Sequence, residues 1–364
     1  MNPGDVATNP RWTLLVPVLG VILLVATWGR ELGWFPVLIV SLGLGASVLA
    51  AVHHAEIVAL RVGEPFGTLI LAVAVTVIEV ALIVTLMSSG GDKAASLARD
   101  TVFAAIMITC NGVIGLSLIL GTIRHRVQEF HVEGASGALA VLTAMVTLSL
   151  VLPTFTSTTA GPTFSGPQLA FAGVASLALY GVFVFVQTVR HRDYFLPVGT
   201  AADEEDVHAA APSDRTAWAS LGLLVLCLVA VVGLAKIASP TIESGVLAVG
   251  APISSVGVVI ALLVLAPETL AAVRAARLNR IQTSLNLALG SAMASIGLTI
   301  PVIGLASIWL AGPLHLGLGG TEMVLLALTV VVNVLTLSTG RATVLQGSVH
   351  LVVFSAFLFL AISP

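Results

Sequence analysis

Charged residues are scarce in this sequence. Asp, Glu, Lys and Arg make up 9% of its 364 residues, and hydrophobic residues make up 57%. Soluble domains carry roughly 25% charged residues, which keep their surfaces wetted. The shortage excludes a soluble globular domain. Because a backbone in lipid must satisfy its own hydrogen bonds, we predict an all-α integral membrane protein.

Other shortages narrow the class of protein further. The formal net charge is −3, so the chain lacks the basic surface of nucleic-acid binders, and we expect no nucleic-acid partner. The two cysteines, Cys110 and Cys227, lie in apolar runs and predict neither a disulfide nor a metal site. No nucleotide-binding motif occurs in the sequence. We therefore expect no cofactor, and a proton gradient rather than nucleotide hydrolysis as the source of energy.

About eleven apolar segments are long enough to cross a bilayer core, which takes roughly 20 helical residues. The first segment lacks a basic leading region and predicts a retained helix rather than a cleaved signal. The predicted crossings lie near residues 12–29, 34–52, 66–88, 101–121, 134–152, 167–189, 217–237, 245–267, 284–311, 321–339 and 343–362.

The positive charges predict the orientation, since Lys and Arg concentrate on the cytoplasmic side of a membrane. With eleven crossings and a cytoplasmic N-terminus, the outside segments hold four basic residues: Arg30, Lys93, Arg99 and Lys236. The other eleven of the 15 basic residues lie inside. We therefore predict a multi-pass protein of the plasma membrane, with its N-terminus in the cytoplasm and its C-terminus outside.

An internal repeat predicts the architecture. Residues 114–118, Ile-Gly-Leu-Ser-Leu, recur at 296–300 as Ile-Gly-Leu-Thr-Ile, in the fourth and ninth predicted helices. An offset of five helices is odd, so the second copy enters the membrane from the opposite side, as in many secondary transporters. We predict four parts: an N-terminal segment with one helix (1–33), a five-helix repeat (34–189), an acidic cytoplasmic loop (190–216) and a second, inverted five-helix repeat (217–364).

The acidic loop has two interpretations. It contains Asp203-Glu204-Glu205-Asp206 among Pro, Ala and Ser residues. One interpretation is a solvated linker between the repeats. The other is a segment that meets cations close to the pore.

Two acids lie within predicted membrane helices. Glu79 is deep in the third, and Glu268 follows the apolar run 258–266 directly after Pro267. A charged residue at mid-membrane costs about 2.5–3.5 kcal/mol on insertion scales and commonly marks an ion or proton path. Two alternatives stay open: a protonated Glu79 that bonds a neighbouring helix, and an interfacial helix end at Glu268, which Arg274 and Arg277 follow.

Paired carboxylates could couple cation and proton movements. Together they neutralise one divalent cation or take up two protons, and carboxyl groups withdrawn from water bind protons more readily. Hard cations prefer oxygen ligands. Glu79 and Glu268 are the predicted metal ligands, and the candidate neutral ligands are Thr76, Asn111 and Ser291, with Thr109 and Ser295 as further hydroxyls.

These neutral candidates also have structural interpretations. Each hydroxyl could instead bond the carbonyl four residues earlier in its own helix. Pro267 frees one carbonyl near Glu268, or simply kinks the helix. His53, His54 and Glu56 predict an interfacial cluster or a proton route, Asn333 an interhelical bond, and His350 a packing residue.

Several motifs resemble the cation/proton exchanger family of the calcium:cation antiporter superfamily, and most closely its bacterial ChaA-type branch. The resemblance covers most of the chain, and its motifs are specific only jointly. They are Ala55-Glu56 and residues 61–67 ahead of Glu79, Tyr180-Gly181-Val182-Phe183 with Gln187 and His191, Ala266-Pro267-Glu268, Leu289-Gly290-Ser291 and residues 340–347.

The sequence also departs from the calcium-selective members of that superfamily. Those members carry Gly-Asn four and three residues before each glutamate, whereas this chain has Val75-Thr76 and Val264-Leu265. Ala294 replaces the glutamine three residues after Gly-Ser. The ChaA-type resemblance implies exchange of sodium and potassium, as well as calcium, for protons.

Together these patterns predict a cation/proton antiporter whose substrates are cations and protons. The alternative is a cation channel that uses the same glutamates as a selectivity ring. An intramembrane enzyme is excluded because no Asp lies in a predicted helix and no His-Glu-x-x-His motif is present. The oligomeric state is left open.

Overall fold

The computed structural model describes residues 11–30, 32–63, 66–90, 95–198, 212–248, 250–309 and 312–363. The predictions for the acidic residues 203–206, for Lys93 and for the two chain ends lie outside these residues.

The described chain is almost entirely helical. Two short antiparallel strands, β1 (Gln128–Glu129) and β2 (Arg341–Ala342), pair between helix ends. The helices are α1 (Arg11–Thr27), α2 (Trp34–Val62), α3 (Phe66–Gly90), α4 (Leu97–Met107), α5 (Ile114–His125), α6 (Val132–Val146), α7 (Gly166–Phe185), α8 (Asp214–Ala248), α9 (Ser255–Val264), α10 (Ala266–Arg277), α11 (Ile281–Ala306), α12 (Gly320–Leu337) and α13 (Val344–Ile362).

Eight helical spans in the described residues are long and apolar enough to cross a membrane, and the bent pair α9–α10 makes up to nine. Two shorter apolar helices, Arg11–Thr27 and Val73–Ser88, lie where the first and third crossings are predicted. The all-α multi-pass membrane fold is therefore confirmed. The count of eleven crossings stays a prediction.

Three predicted helix bounds are wrong: the ends of the second and seventh helices and the start of the eighth. The second helix does not end at residue 52 but continues to Val62. His54 fits inside it because its Nε2 lies 2.9 Å from the backbone oxygen of Thr13, which gives the buried ring a polar partner. The eighth crossing does not begin at 245: α8 runs on to Ala248, and α9 begins at Ser255.

The chain forms two compact units, and the first comprises residues 1–86 and 200–245. In it, α8 packs closely on α1 and α2, where small residues let backbones approach. A methyl group added at Gly233 would lie 2.4 Å from the Leu24 side chain, and one at Gly43 would lie 3.7 Å from Leu234. Arg61 of α2 also pairs with Asp214 at the start of α8.

The second unit comprises residues 87–199 and 246–364. Its central element is a continuous helix from Leu97 to His125, built from α4, a π-helical turn at Ile108–Val113, and α5. In its most apolar 18-residue stretch, 89% of the residues are buried, against 22% for α13. The outer helices of this unit therefore present their apolar side chains outwards, as lipid contact requires.

The two copies of the repeated pentapeptide pack in similar ways. Gly115 of α5 lies against α13, and Gly297 of α11 lies against α7. An added methyl group would come within 2.9 Å of His350 Cβ at Gly115, and within 2.6 Å of Tyr180 Cβ at Gly297. The glycines of the repeat are thus close-approach points between helices.

Gly115→Ala tests this role in packing. The new Cβ would also lie 3.0 Å from the backbone nitrogen of Leu351, which cannot rotate away. Overpacking of this kind costs about 1–3 kcal/mol, so the purified variant should melt several degrees lower than the wild type. Gly181→Ala is the control, because nothing lies within 4 Å of the added methyl group. Equal melting temperatures for the two variants would contradict this packing.

Candidate functional site

Glu79 and Thr76 lie three residues apart on α3 and share a face of the helix. Both side chains are buried: Glu79 is 3% exposed and Thr76 is 5% exposed. A carboxylate withdrawn from water this far requires a cation, a proton or strong hydrogen bonds. This part of the predicted site is therefore a carboxylate and a hydroxyl, both buried, one helical turn apart.

Glu268 begins a helix rather than ending one. The predicted eighth helix breaks at Leu265, where α9 and α10 meet at a bend of 56°. Pro267 lies in the first turn of α10, where its missing N–H costs nothing. Glu268 occupies the same turn, where the helix dipole stabilises a negative charge. The kink expected from Pro267 is confirmed. The alternative for Glu268, a helix end at the membrane interface, stays a prediction.

The carbonyl at the helix break is satisfied within α10 itself. The backbone oxygen of Leu265 accepts hydrogen bonds from the backbone nitrogen of Thr269 at 2.9 Å and from its hydroxyl at 2.7 Å. Discontinuous membrane helices of this kind place charged helix ends at the ion sites of secondary transporters. The break therefore gives Glu268 a setting that an unbroken helix would lack.

Asn111 lies in the π-helical turn of the central helix, and its side chain is fully buried. Its amide nitrogen donates to the hydroxyl of Thr329 on α12 at 2.9 Å. Its carbonyl oxygen has no hydrogen-bond partner among the described residues. An unpartnered amide oxygen in a buried position is a suitable ligand for a hard cation.

The π-helical turn is itself held by α12. A π turn leaves carbonyls without their usual helical donors, and the amide nitrogen of Asn333 lies 3.4 Å from the carbonyl oxygen of Cys110. The same nitrogen donates to the backbone oxygen of Thr329 at 2.8 Å. The interhelical bond predicted for Asn333 is therefore confirmed. Sequence reasoning missed Thr329, although its spacing of four residues from Asn333 places both on one face of a helix.

The remaining hydroxyl candidates, Thr109, Ser291 and Ser295, differ in their burial and in their hydrogen bonds. Thr109 donates to the carbonyl of Ala105, four residues earlier, at 2.8 Å, so its structural interpretation is confirmed. Ser291 is half-buried on α11, and Ser295 is buried one turn further along the same helix.

Within the second unit, the elements that carry Glu268, Asn111 and Ser291 pack against one another. They are α10, the π-helical turn and α11. Glu79 and Thr76 belong to the first unit, and the meeting of the two glutamates stays a prediction. No cluster of three or more His, Cys, Asp or Glu side chains suited to a metal ion occurs in the described part of the chain.

Solved structures share this fold. The structure of native YfkE matches with a TM-score of 0.72 and 17% identity, covering 97% of this chain and 99% of that protein. The H⁺/Ca²⁺ exchanger CAX matches with a TM-score of 0.70 and 14% identity, covering 95% of this chain and 86% of that one. The described chain therefore has the all-α, multi-pass membrane fold of these proteins.

The chain belongs to the sodium/calcium exchanger protein family, whose sequence profile matches residues 30–189 and 219–363. It is 34% identical to the sodium-potassium/proton antiporter ChaA of Escherichia coli, over 95% of this chain and 94% of ChaA. It is 49% identical to y4hA of Sinorhizobium fredii, named as an inferred ionic transporter, over 98% of this chain and 97% of that one. The predicted resemblance to the ChaA-type branch is confirmed.

Proposed function

We propose that this protein is a secondary antiporter that exports Ca²⁺, and Na⁺ or K⁺, in exchange for H⁺. The observation that carries the proposal is the burial of Glu79, with Thr76 one turn away, in an apolar helix. The family and two named relatives support it: ChaA is a sodium-potassium/proton antiporter, and a Ca²⁺/H⁺ antiporter of Aphanothece halophytica is 26% identical over 85% of this chain and 86% of that one.

The chemistry of coupling follows from charge. A buried carboxylate is stabilised by either a bound cation or a proton, and not by both at once. Glu79 and Glu268 would act as shared sites for cations and protons, with Thr76, Asn111 and Ser291 supplying neutral oxygens. If the empty, charged site does not cross the membrane, each cation that leaves must be replaced by protons.

Alternating access supplies the second half of the mechanism. In transporters with inverted repeats, one part of the molecule rocks against the other around a fixed site. The broken helix α9–α10 and the π-helical turn are irregular elements of the kind from which such sites are built. A channel would need no such exchange of proton and cation at each turnover.

Flux measurements in everted membrane vesicles test the proposal. Vesicles from a strain without its own exchangers would be acidified by respiration, with a quenched pH dye reporting the gradient. Adding Ca²⁺, Na⁺ or K⁺ should release protons and restore the fluorescence, and a protonophore added beforehand should abolish the response. Cation uptake that proceeds equally with and without a pH gradient would favour the channel.

The orientation in the plasma membrane is a further prediction. Cysteines introduced at Glu205 and Ser363 would be probed with an impermeant thiol reagent in a background where the buried Cys110 and Cys227 are replaced by Ser. Only the cysteine at 363 should react in intact cells, because the 190–216 loop is predicted to be cytoplasmic. Both should react after permeabilisation, which controls for access. Labelling at 205 from outside would overturn the topology.

A further inference from the structure

Four connections meet at one end of the second unit. Strand β1, after α5, pairs with β2, between α12 and α13. The Gln128 side chain donates to the backbone oxygen of Ala276, near the end of α10, at 2.7 Å. The Asn286 side chain of α11 donates to the backbone oxygen of Phe195, after α7, at 2.7 Å. The ends of α5, α7, α10 and α12 are therefore joined by hydrogen bonds into one surface.

Arginines dominate this surface, which we call the arginine face. Eight of the chain's fifteen basic residues lie there, against three acids, Glu129, Glu133 and Asp193, all exposed. The arginines are Arg124, Arg126, Arg190, Arg192, Arg274, Arg277, Arg280 and Arg341. All eight are exposed. Among the described residues, positive charges on the arginine face thus outnumber negative charges by eight to three.

Three of these guanidinium groups lie without a partner among the described residues. Arg124, Arg126 and Arg277 make no side-chain hydrogen bond or ion pair with the described part of the chain. Clustered guanidinium groups repel one another unless an anion lies between them.

The backbone is strained at Arg126, in the turn between α5 and β1. Its φ is 64°, which is rare for a residue with a side chain. The turn is closed by a hydrogen bond from the backbone nitrogen of Val127 to the backbone oxygen of His125, at 2.8 Å. Gly121 makes room for this arrangement, because a methyl group there would overlap the Gln128 side chain. The turn therefore keeps Arg126 and Val127 exposed side by side.

Large aliphatic side chains accompany the arginines. Ile123 is 67% exposed beside Arg124, Leu278 is 61% exposed beside Arg277, and Val189 is 58% exposed beside Arg190. A surface for soluble anions gains nothing from exposed aliphatic groups. Cationic and aliphatic side chains in alternation suit the boundary between lipid headgroups and acyl chains.

We propose that the arginine face binds anionic phospholipids of the surrounding leaflet. The guanidinium groups contact the headgroup phosphates, since Arg pairs with phosphate through two parallel N–H donors. Ile123, Val189 and Leu278 contact the upper acyl chains. The bound lipids neutralise a positive face that would otherwise lower the local concentration of cations.

Binding of phosphatidylglycerol to the purified full-length protein tests this inference. The protein would be held in neutral detergent micelles and titrated with phosphatidylglycerol, with phosphatidylcholine as the reference lipid. Each arginine contributes roughly fivefold to anionic-lipid affinity. The triple variant Arg124→Gln, Arg126→Gln, Arg277→Gln should therefore bind phosphatidylglycerol on the order of 100-fold more weakly. Binding of phosphatidylcholine should not change.

The matched control removes three arginines that do not belong to the arginine face, Arg11→Gln, Arg30→Gln and Arg215→Gln. It makes the same change in net charge and should leave phosphatidylglycerol affinity within about twofold of wild type. Ile123→Ser with Leu278→Ser should weaken lipid binding but not the binding of inorganic phosphate. Equal loss in the two triple variants would overturn the proposal, as would tight binding of inorganic phosphate alone.

One further outcome assigns the face to another occupant. If phosphatidylglycerol binds only after Asp203, Glu204, Glu205 and Asp206 are changed to their amides, the chain's own acidic segment occupies the arginine face. That result would also overturn the proposal. Flux assays are not needed for any of these measurements, so failure here leaves the proposed transport function standing.

Discussion

Glu79→Gln, and separately Glu268→Gln, should reduce proton-coupled cation flux by at least about 100-fold. Glu79 is buried and Glu268 is half-buried. Removing a carboxylate that pairs with a cation in a buried setting costs up to about 3–5 kcal/mol, which corresponds to two or three orders of magnitude in affinity. Glutamine keeps the shape and one carbonyl oxygen, but it can neither neutralise a cation nor carry a proton. Everted vesicles and the pH dye measure the loss for Ca²⁺, Na⁺ and K⁺ in turn.

Folding must be separated from function in this experiment. Both variants should purify as a single species with a melting temperature close to that of the wild type, since the amide removes a charge from a low-dielectric setting. Glu133→Gln is the matched control, because this acid is exposed in the first turn of α6, and it should retain full flux. Near-normal exchange in Glu79→Gln or Glu268→Gln would exclude that residue as a carrier.

The double variant Thr76→Asn, Leu265→Asn should shift selectivity towards Ca²⁺ by about tenfold or more. Ca²⁺ takes six to eight oxygen ligands, whereas a monovalent ion tolerates a sparser shell because less charge must be compensated. Thr76 contributes one hydroxyl, and the buried Leu265 contributes no side-chain oxygen. One polar contact to a charged group is worth about 1.5–3 kcal/mol, or a factor of ten and upwards.

Competition measurements test this shift in cation selectivity. The Ca²⁺ concentration for half-maximal dequenching should fall, and Na⁺ and K⁺ should compete less well at alkaline pH. Leu262→Asn serves as the control, because Leu262 is exposed on α9 and lies outside the proposed shell. If the native protein already transports Ca²⁺ with high affinity and ignores Na⁺ and K⁺ at every pH, the argument from ligand number is wrong. Backbone carbonyls or water would then complete the shell.

Much of the fold could be predicted because lipid imposes one rule on every crossing. Long apolar segments had to be helices, and their lengths were set by the bilayer. The wrongly predicted helix bounds lie beyond the apolar segments, where this rule gives no information. The second helix continues past residue 52, and His54 is accommodated there because its ring contacts the backbone oxygen of Thr13 on another helix. A contact between distant parts of the chain cannot be predicted from the local sequence.

Irregular helical geometry was the part that sequence could not place. Pro267 predicted a kink, but the break lies at Leu265, where the hydroxyl and nitrogen of Thr269 satisfy the local carbonyl. The π-helical turn at Ile108–Val113 was not predicted, because its Asn111-Gly112 pair weakens a helix without specifying a π turn. A carbonyl of the turn, that of Cys110, is approached by Asn333 on a distant part of the chain.

The candidate site also contains residues that the sequence could identify and contacts that depend on how the helices pack. A carboxylate in an apolar run is costly enough to be conspicuous, so Glu79 and Glu268 could be named from sequence. Hydroxyl residues cost little in membrane helices, because they can bond a carbonyl of their own helix, and this hid Thr329. Asn111 could be selected as a candidate ligand because it is an amide in an apolar segment, but its bond to Thr329 depends on how α12 packs against the π-helical turn.

The π-helical turn also fixes a rotational phase between the two halves of the central helix. A π turn holds about one residue more than an α turn, and one residue corresponds to about 100° of rotation in an α-helix. The half before the turn presents Thr101 to Gly257 of α9, and the half after it presents Gly115 to α13. These two docking faces are therefore aligned by a single extra residue. A deletion within 108–113 would turn one face away from its partner even though every contacting side chain was still present, whereas most substitutions there would change only local packing.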